Sequence, residues 1–503
     1  MSPASQAAGD ARAARPAQRF AARPVLLIAL ASAALLVVLA GGYGYHRDEL
    51  YFLVAGHHLA WSFADQGPVT PAIARVMETL APHSLTVLRL PSAGMSGVTV
   101  LMTGLLAFEL GGRPRAQVIA SACAGVASLV LIVGHLLSTT TFDLMAWALV
   151  TWLIARAIRT GTGWLWAVAG AVTGVALLNK PLIAFLVAGL ALGVAVVGPR
   201  PVWRERWLWA GVAVGLALWM PWLAWQAAHD WPQREVSSAI AAGGSASSQP
   251  RWALLPFQLL LVSPLLAPVW IAGLVALARR PRLRPFRLFA VAWAFLVVVF
   301  LATGGKPYYL GGLFPVLLAA GAIEADGWLS ASARAWRPAL LWTAVALSGA
   351  VSVVLALPVL PARDAGPVVA MNADVGETIG WPELVATVAR VARQAPRRPV
   401  VFTSNYGEAG AVDRYGPALG LARAYSGHNA FWDWGPPPDG PTPVVTVGLS
   451  ASRRGASFTG CRVLARVDNA AGIDNDESGA PVALCSGTRE PWSRLWPSLR
   501  HLG

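Results

Sequence analysis

Lysine is almost missing from this 503-residue sequence, and charge of either sign is scarce. Of the 39 basic residues two are lysines, Lys180 and Lys306, so 37 are arginines, and only 13% of the chain is charged. An average soluble protein carries roughly 25%, so most of this chain cannot form ordinary cytosolic surface. Cysteine is scarce too. Cys123 sits inside an apolar run, Cys461 and Cys485 lie in the polar C-terminal part, and no CxxC spacing is present, which excludes a thiolate metal framework. The last two could pair if that part faces an oxidising space, but two cysteines alone leave the pairing open. The net charge of +14 comes from short clusters between apolar runs. No basic helix or aromatic-interleaved patch accompanies it, which excludes a nucleic-acid partner.

What is plentiful is apolar: 56% of the residues are hydrophobic. After an Ala/Arg-rich segment, 1–23, expected to be disordered and cytoplasmic, apolar runs recur at about 24–44, 86–110, 116–136, 141–158, 164–178, 181–198, 207–226, 254–278, 287–303, 309–325 and 338–358. Each is near the ~20 residues that span a bilayer. The first run leads into further spans rather than a soluble chain, so it reads as an anchor and not a cleaved signal. The fold class expected is a polytopic α-helical membrane protein of about 11 transmembrane helices (24–360), with a C-terminal extracytoplasmic α/β domain (361–503).

Arginines fall on every second connection: Arg113 and Arg115, Arg156 and Arg159, Arg200 to Arg206, Arg279 to Arg287, and Arg334 with Arg337. By the positive-inside rule these connections and the N-terminus face the cytoplasm. An odd number of spans then puts the C-terminal domain outside the cytoplasmic membrane. The alternation is an internal check, because a missed helix would place arginine clusters on both sides. The outer connections are the loop 45–85, Ser138-Thr139-Thr140, Asn179-Lys180-Pro181, the loop 227–253 and Gly304-Gly305-Lys306-Pro307.

In the loop 45–85 the spacing of Leu50, Tyr51, Leu53, Val54, His57, His58 and Trp61 suits a helix lying along the membrane interface, and a second helix is expected from Pro71 to about Leu80. Beyond residue 362 the composition becomes ordinary. The segments 399–403 and 443–447 read as buried strands, with a helix over Glu383 to Ala395.

All the polar constellations lie on the outer side. Asp48 and Glu49 follow the first span, where carboxylates can serve as general bases or metal ligands. Helix capping and the helix dipole account for the same pair. Asp143 opens the fourth span behind a run of hydroxyls, an expensive place for an acid unless it is paired or used. Lys180 and Lys306 each precede a proline at an outer helix end. A lysine binds phosphate as a point charge, whereas snorkelling is the plain alternative. Tyr308, Tyr309 and the Gly304-Gly305 pair flank Lys306 and would let a lipid headgroup approach. His57 and His58 are weaker candidates for substrate contact. Asn405, Tyr406, Glu408, His428 and Asn429 pair aromatics with amides as sugar-binding surfaces do, although turns use the same residue types. The acidic stretch from Asp474 to Glu477 lacks the EF-hand pattern. No spacing requires a divalent metal and none rules one out.

These residues resemble those of the GT-C glycosyltransferases of family 39, the group of the protein O-mannosyltransferases and the aminoarabinose transferase of lipid A. The likeness rests on Arg47-Asp48-Glu49-Leu50-Tyr51-Phe52 after the first span, Thr141-Phe142-Asp143, and Lys306-Pro307-Tyr308-Tyr309-Leu310, and covers roughly 24–325. It implies inverting transfer of a sugar from a polyprenyl-phosphate donor to a lipid, glycan or protein acceptor on the outer face. Asp48, with Glu49 as the alternative, would be the base. Asp143 would orient or bind a metal, and the two lysines with Tyr308 and Tyr309 would hold the phosphate. The resemblance requires no cofactor. Segment 362–503 matches no lumenal module of the eukaryotic members, which leaves the acceptor open. A sugar-lipid transporter or flippase is the rival reading and would favour charges buried mid-span and two related halves; a non-catalytic sugar-lipid scaffold is a second.

Overall fold

A computed structural model of the chain describes residues 19–244 and 248–502. The greater part of the expected disordered tail, 1–18, therefore lies outside the described residues. Helices come in the order α1 (Ala22–Leu39), α2 (Arg47–Ala55), α3 (Val69–Leu80), α4 (Leu85–Glu109), α5 (Pro114–Gly125), α6 (Ser128–His135), α7 (Thr139–Thr160), α8 (Trp164–Leu177), α9 (Ile183–Val197) and α10 (Arg206–Ala228). They continue with α11 (Pro232–Ala241), α12 (Leu254–Val262), α13 (Ala267–Arg279), α14 (Leu288–Thr303), α15 (Phe314–Ser330) and α16 (Trp336–Ala356).

The apolar runs fall on helices, but not all of them on full-length spans. Among the described residues six helices are long and apolar enough to cross a membrane, or up to eight if two bent pairs each count once. The bent pairs are α5–α6, at 54°, and α12–α13, at 89°. α8, α9 and α14 are shorter apolar helices; at 1.5 Å per residue they fall short of the ~30 Å hydrocarbon core. The expected eleven therefore holds for position and order, and not as a count of full-length spans.

Small residues let these helices close on one another, as they must where lipid gives no hydrophobic push between helices. At the α8–α10 crossing, a Cβ on Gly170 would stand 2.2 Å from the carbonyl oxygen of Gly211. At the arginine-bearing ends each of three acids receives two arginines. Glu109 takes Arg156 and Arg159, Asp326 takes Arg113 and Arg115, and Glu324 takes Arg280 and Arg282. Glu109 and Asp326 are buried.

The C-terminal part holds two short helices, α17 (Gly366–Val369) and α18 (Ala373–Gly376), followed by α19 (Trp381–Ala392), β1 (Val400–Thr403), α20 (Tyr406–Tyr415), β2 (Ala424–Ser426), β3 (Val444–Val447), β4 (Phe458–Thr459), β5 (Arg462–Arg466), β6 (Pro481–Cys485) and β7 (Gly487–Thr488). Five strands form one sheet in the order β2-β1-β3-β6-β5, parallel through β2, β1 and β3 and antiparallel through β6 and β5. The two apolar segments read as strands are β1 and β3, at the centre, and the expected helix between 383 and 395 is α19. Cys461 and Cys485 form a disulfide.

The loop 45–85 departs from its reading as an interfacial helix. α2 stops at Ala55, and Leu50, Tyr51 and Phe52 are buried. They share one apolar core with Leu384 and Val388 of α19, Val401 of β1 and Val445 of β3. The periodicity was real, but the face it marks packs against the C-terminal sheet rather than against lipid. The second expected helix is α3.

Candidate active site

The site starts from how α2 is capped. The ring of His46 accepts from the Asp48 N–H at 3.2 Å, and Glu49 reaches back to the His46 N–H at 2.8 Å, closing a capping box that satisfies two orphan donors at once. The capping role expected of Asp48 thus belongs to His46 and Glu49. Asp48 is left half-buried at the rim.

Glu49 is fully buried, and both of its oxygens are engaged. Arg89 of α4, itself fully buried, donates to Oε1 and Oε2 at 2.8 Å each, a bidentate pair, and the Leu137 N–H donates to Oε1 at 2.8 Å. Arg89 also donates to the carbonyls of Ala40 and Gly44 at 2.8 Å. Glu49 therefore turns into the protein, and the reading of it as an alternative base is corrected: its carboxylate serves to tie α2 to α4. Arg89 escaped the sequence reading because it lies inside an apolar run. A charge in the first turn of a span was the signal that could have found it.

On the other side stand Asp143, Lys180, Tyr308 and Tyr309. Asp143, in the first turns of α7, is buried and accepts from the Trp147 indole N–H at 3.1 Å. Lys180 Nζ donates to Thr140 Oγ1 at 3.0 Å and lies 5.0 Å from the Tyr308 ring centroid and 5.6 Å from that of Tyr309, cation–π distances. Burial pulls the Lys180 ammonium below its ordinary value while Asp143 and Asp48 pull the other way, so both acids act on this one lysine. Burial and the charge of Lys180 bring Lys306 down to about 8, and Asp48 opposes this. The Gly304-Gly305 pair has a local reason: Gly304, at φ 72°, caps α14.

Burial pushes the Asp48 carboxyl up, but His46, Arg47, the Tyr406 hydroxyl and Lys306 outweigh it and hold the group below its usual range. The Tyr406 hydroxyl donates to Asp48 Oδ1 at 2.8 Å. Arg47 reaches Asp476 at 3.1 Å and Glu377 at 3.6 Å. Asp65, absent from the sequence reading because Ala-Asp-Gln-Gly looks like a turn, accepts from the Tyr51 hydroxyl at 2.7 Å and from Asn429 Nδ2 at 3.1 Å.

The C-terminal candidates divide. Tyr406 and Asn429 join the acids. Asn405 and Glu408 instead form the capping box of α20, and Glu408 is buried. The Asn405 amide is taken up by the Glu408 N–H and by Glu477, and the Glu408 carboxylate by the Ser404 and Asn405 N–H groups and the Ser404 hydroxyl, which corrects the reading of them as sugar ligands. His428 lies tilted behind Tyr406, its ring centroid at 4.8 Å, and stacks on His501 at 4.7 Å. His57 pairs with Arg75 at 3.0 Å and His58 stacks on Trp434 at 4.6 Å, and both are exposed. Neither is set among the groups around Asp48, so the reading of them as substrate contacts is not supported. Among the described residues no three His, Cys, Asp or Glu side chains gather as a metal site.

Residues 65–225 match the family model described as dolichyl-phosphate-mannose-protein mannosyltransferase. Most of the chain superimposes on ArnT from Cupriavidus metallidurans, solved bound to undecaprenyl phosphate. The TM-score is 0.59 at 15% identity, covering 92% of this chain and 98% of that one. The apo state of the same protein matches equally, at 16% identity over 93% and 98%.

The chain has the GT-C glycosyltransferase fold.

A second GT-C structure, the archaeal oligosaccharyltransferase AglB from Archaeoglobus fulgidus in complex with an inhibitory peptide and a dolichol-phosphate, aligns at TM-score 0.50 and 12% identity over 78% and 64% of the two chains. No curated protein matches the sequence. The transporter reading finds no support in this GT-C architecture.

Proposed function

We propose that this membrane glycosyltransferase takes its sugar from a polyprenyl-phosphate donor and passes it to an acceptor hydroxyl at the outer face of the cytoplasmic membrane, with Asp48 as the base. One observation carries the reading: a half-buried carboxylate held in its ionised form lies within electrostatic reach of both lysines of the chain, Lys180 and Lys306. In that geometry the acceptor oxygen attacks the anomeric carbon while its proton passes to Asp48. The bond from that carbon to the phosphate oxygen breaks with its electron pair. Lys180 and Lys306 meet the charge that develops on the leaving phosphate, where fixed cations act most strongly. Tyr308 and Tyr309 hold the Lys180 ammonium over their rings, and Asp143 balances it from α7. The undecaprenyl phosphate bound by ArnT and the dolichol-phosphate bound by AglB support this donor class.

The test reconstitutes the full-length protein in lipid vesicles with a panel of polyprenyl-phosphate sugars and membrane extract as acceptor, and follows release of free polyprenyl phosphate. Wild type should release it from one donor, and Asp48→Asn should lose roughly 10²–10⁴-fold, the usual contribution of a general base. Full activity in Asp48→Asn would remove the base from this reading. Release from no donor by folded protein would remove the transferase.

A further inference from the structure

We infer that Tyr406 is a positioning residue for the transfer reaction, its phenol reaching from the C-terminal sheet unit to α2 to aim the Asp48 carboxylate. The inference rests on the reading of Asp48 as the base. Sequence order gives no hint of it, since the two residues stand 358 positions apart.

The local structure makes the reach possible. Tyr406 is the first residue of α20, whose start is fixed by the Asn405–Glu408 capping box. α20 lies directly on α2: a Cβ on Gly407 would stand 2.8 Å from Cβ of Arg47, and one on Gly410 would stand 2.9 Å from the backbone of Leu50. That approach stacks the Tyr406 ring on Tyr51 at 4.7 Å and 25° and brings its hydroxyl to Asp48 Oδ1 at 2.8 Å. Tyr51 is itself locked. Its hydroxyl donates to Asp65 and accepts from the Ala430 N–H at 3.2 Å. Asp65 is held in turn by Asn429, which sits at φ 49°, a left-handed conformation that non-glycine residues take up chiefly where surrounding contacts impose it.

A phenol donating to one carboxylate oxygen fixes the plane of the group and directs the second oxygen toward the acceptor. It also favours the ionised form, because the bond is charge-assisted. The groups that face Asp48 are His46 at the cap of its own helix and Arg47 on it, Tyr406 from the C-terminal unit, Lys306, Tyr308 and Lys180 from the outer connections, and Asp65 from the first outer loop. Removing the hydroxyl alone leaves every one of the others in place.

The experiment compares wild type, Tyr406→Phe and Asp48→Asn in vesicles across pH. Phenylalanine keeps the stack on Tyr51, so folding should hold. The expected result is a roughly tenfold lower kcat with unchanged donor KM, and an acid limb displaced upward by about one pH unit, the size of a single charge-assisted bond. A Tyr406→Phe profile that superimposes on wild type, while Asp48→Asn is inactive, overturns the inference and leaves the base intact. Full activity in Asp48→Asn overturns the base instead. A second measurement needs no turnover: the carboxylate titration of Asp48, taken as the infrared difference between wild type and Asp48→Asn, should move upward when both carry Tyr406→Phe. Equal midpoints overturn the inference.

Discussion

The buried pair of Arg89 and Glu49 is where a single substitution should cost most. In Arg89→Met the Glu49 carboxylate keeps only the N–H groups of His46 and Leu137, and the carbonyls of Ala40 and Gly44 lose a charged donor. Breaking a buried pair by removing one partner costs about 3–5 kcal/mol. Each carbonyl left short adds ~1–3 kcal/mol where water cannot replace the donor. These terms overlap, so a loss of about 4 kcal/mol or more is expected, a large fraction of a typical folding free energy. Replacing both partners, as in Glu49→Leu with Arg89→Met, removes the stranded charge. The double variant should then be less destabilised than the two single losses combined by about 2 kcal/mol or more, the coupling typical of residues in direct contact. Equilibrium unfolding in mixed micelles measures all four corners of the cycle. Arg89→Met within ~1 kcal/mol of wild type, or a cycle additive within about 0.5 kcal/mol, would refute the claim that this pair holds the start of α2 in place.

Two further outcomes follow from the same geometry. Lys180→Met and Lys306→Met should each weaken protection of the protein by added polyprenyl phosphate against thermal unfolding, by roughly 10–100-fold in apparent affinity, the range of a hydrogen bond to a charged group; unchanged affinity in both would remove the lysines from the phosphate site. Burial raises Asp65 and Glu377 to about 7, and burial with the neighbouring Glu408 raises Glu477 to about 8, against roughly 4 in an unfolded chain. The folded state thus binds more protons than the unfolded state across this interval, and stability must fall as pH rises. The melting temperature should drop between about pH 7 and 8: below that window His57 and His58, both lowered by burial, and above it Lys306, brought down to about 8, hold more protons in the unfolded chain and oppose the drop, and Glu477→Gln should flatten it. A melting temperature that rises over that interval would contradict the assignment.

Much of the fold was legible because it is written in one-dimensional patterns: apolar runs mark α1, α4, α7 and α10, and β-branched clusters mark β1 and β3. The site was half legible. Asp48, Asp143, Lys180 and Lys306 stood out because each is costly or rare where it occurs. Asp65 and the closeness of Tyr406 to Asp48 could not be read, since each takes its meaning from a partner distant in the chain, and Arg89 left only the trace of a charge near the start of a span. Glu49, Asn405 and Glu408 misled for a related reason. A capping box and a ligand set draw on the same side chains, and only the direction of the carboxylate separates them. The face of α2 misled differently, because an apolar stripe does not say whether lipid or a sheet will cover it.

The arginine forks at the proposed cytoplasmic ends bear on how the chain is laid into the bilayer. Arg113 precedes its acid, Asp326, by 213 residues, and Glu324 follows Arg280 by 44. During synthesis, with the N-terminal residues made first, these arginines are unneutralised and retain the charge that the membrane sorts by. Only when α15 is in place do Asp326 and Glu324 arrive to take them up. On the proposed orientation the same guanidinium groups serve twice in succession, as an address while the chain is inserting and as a latch on the finished bundle, so neutralising Asp326 should loosen the assembled protein without reversing its orientation.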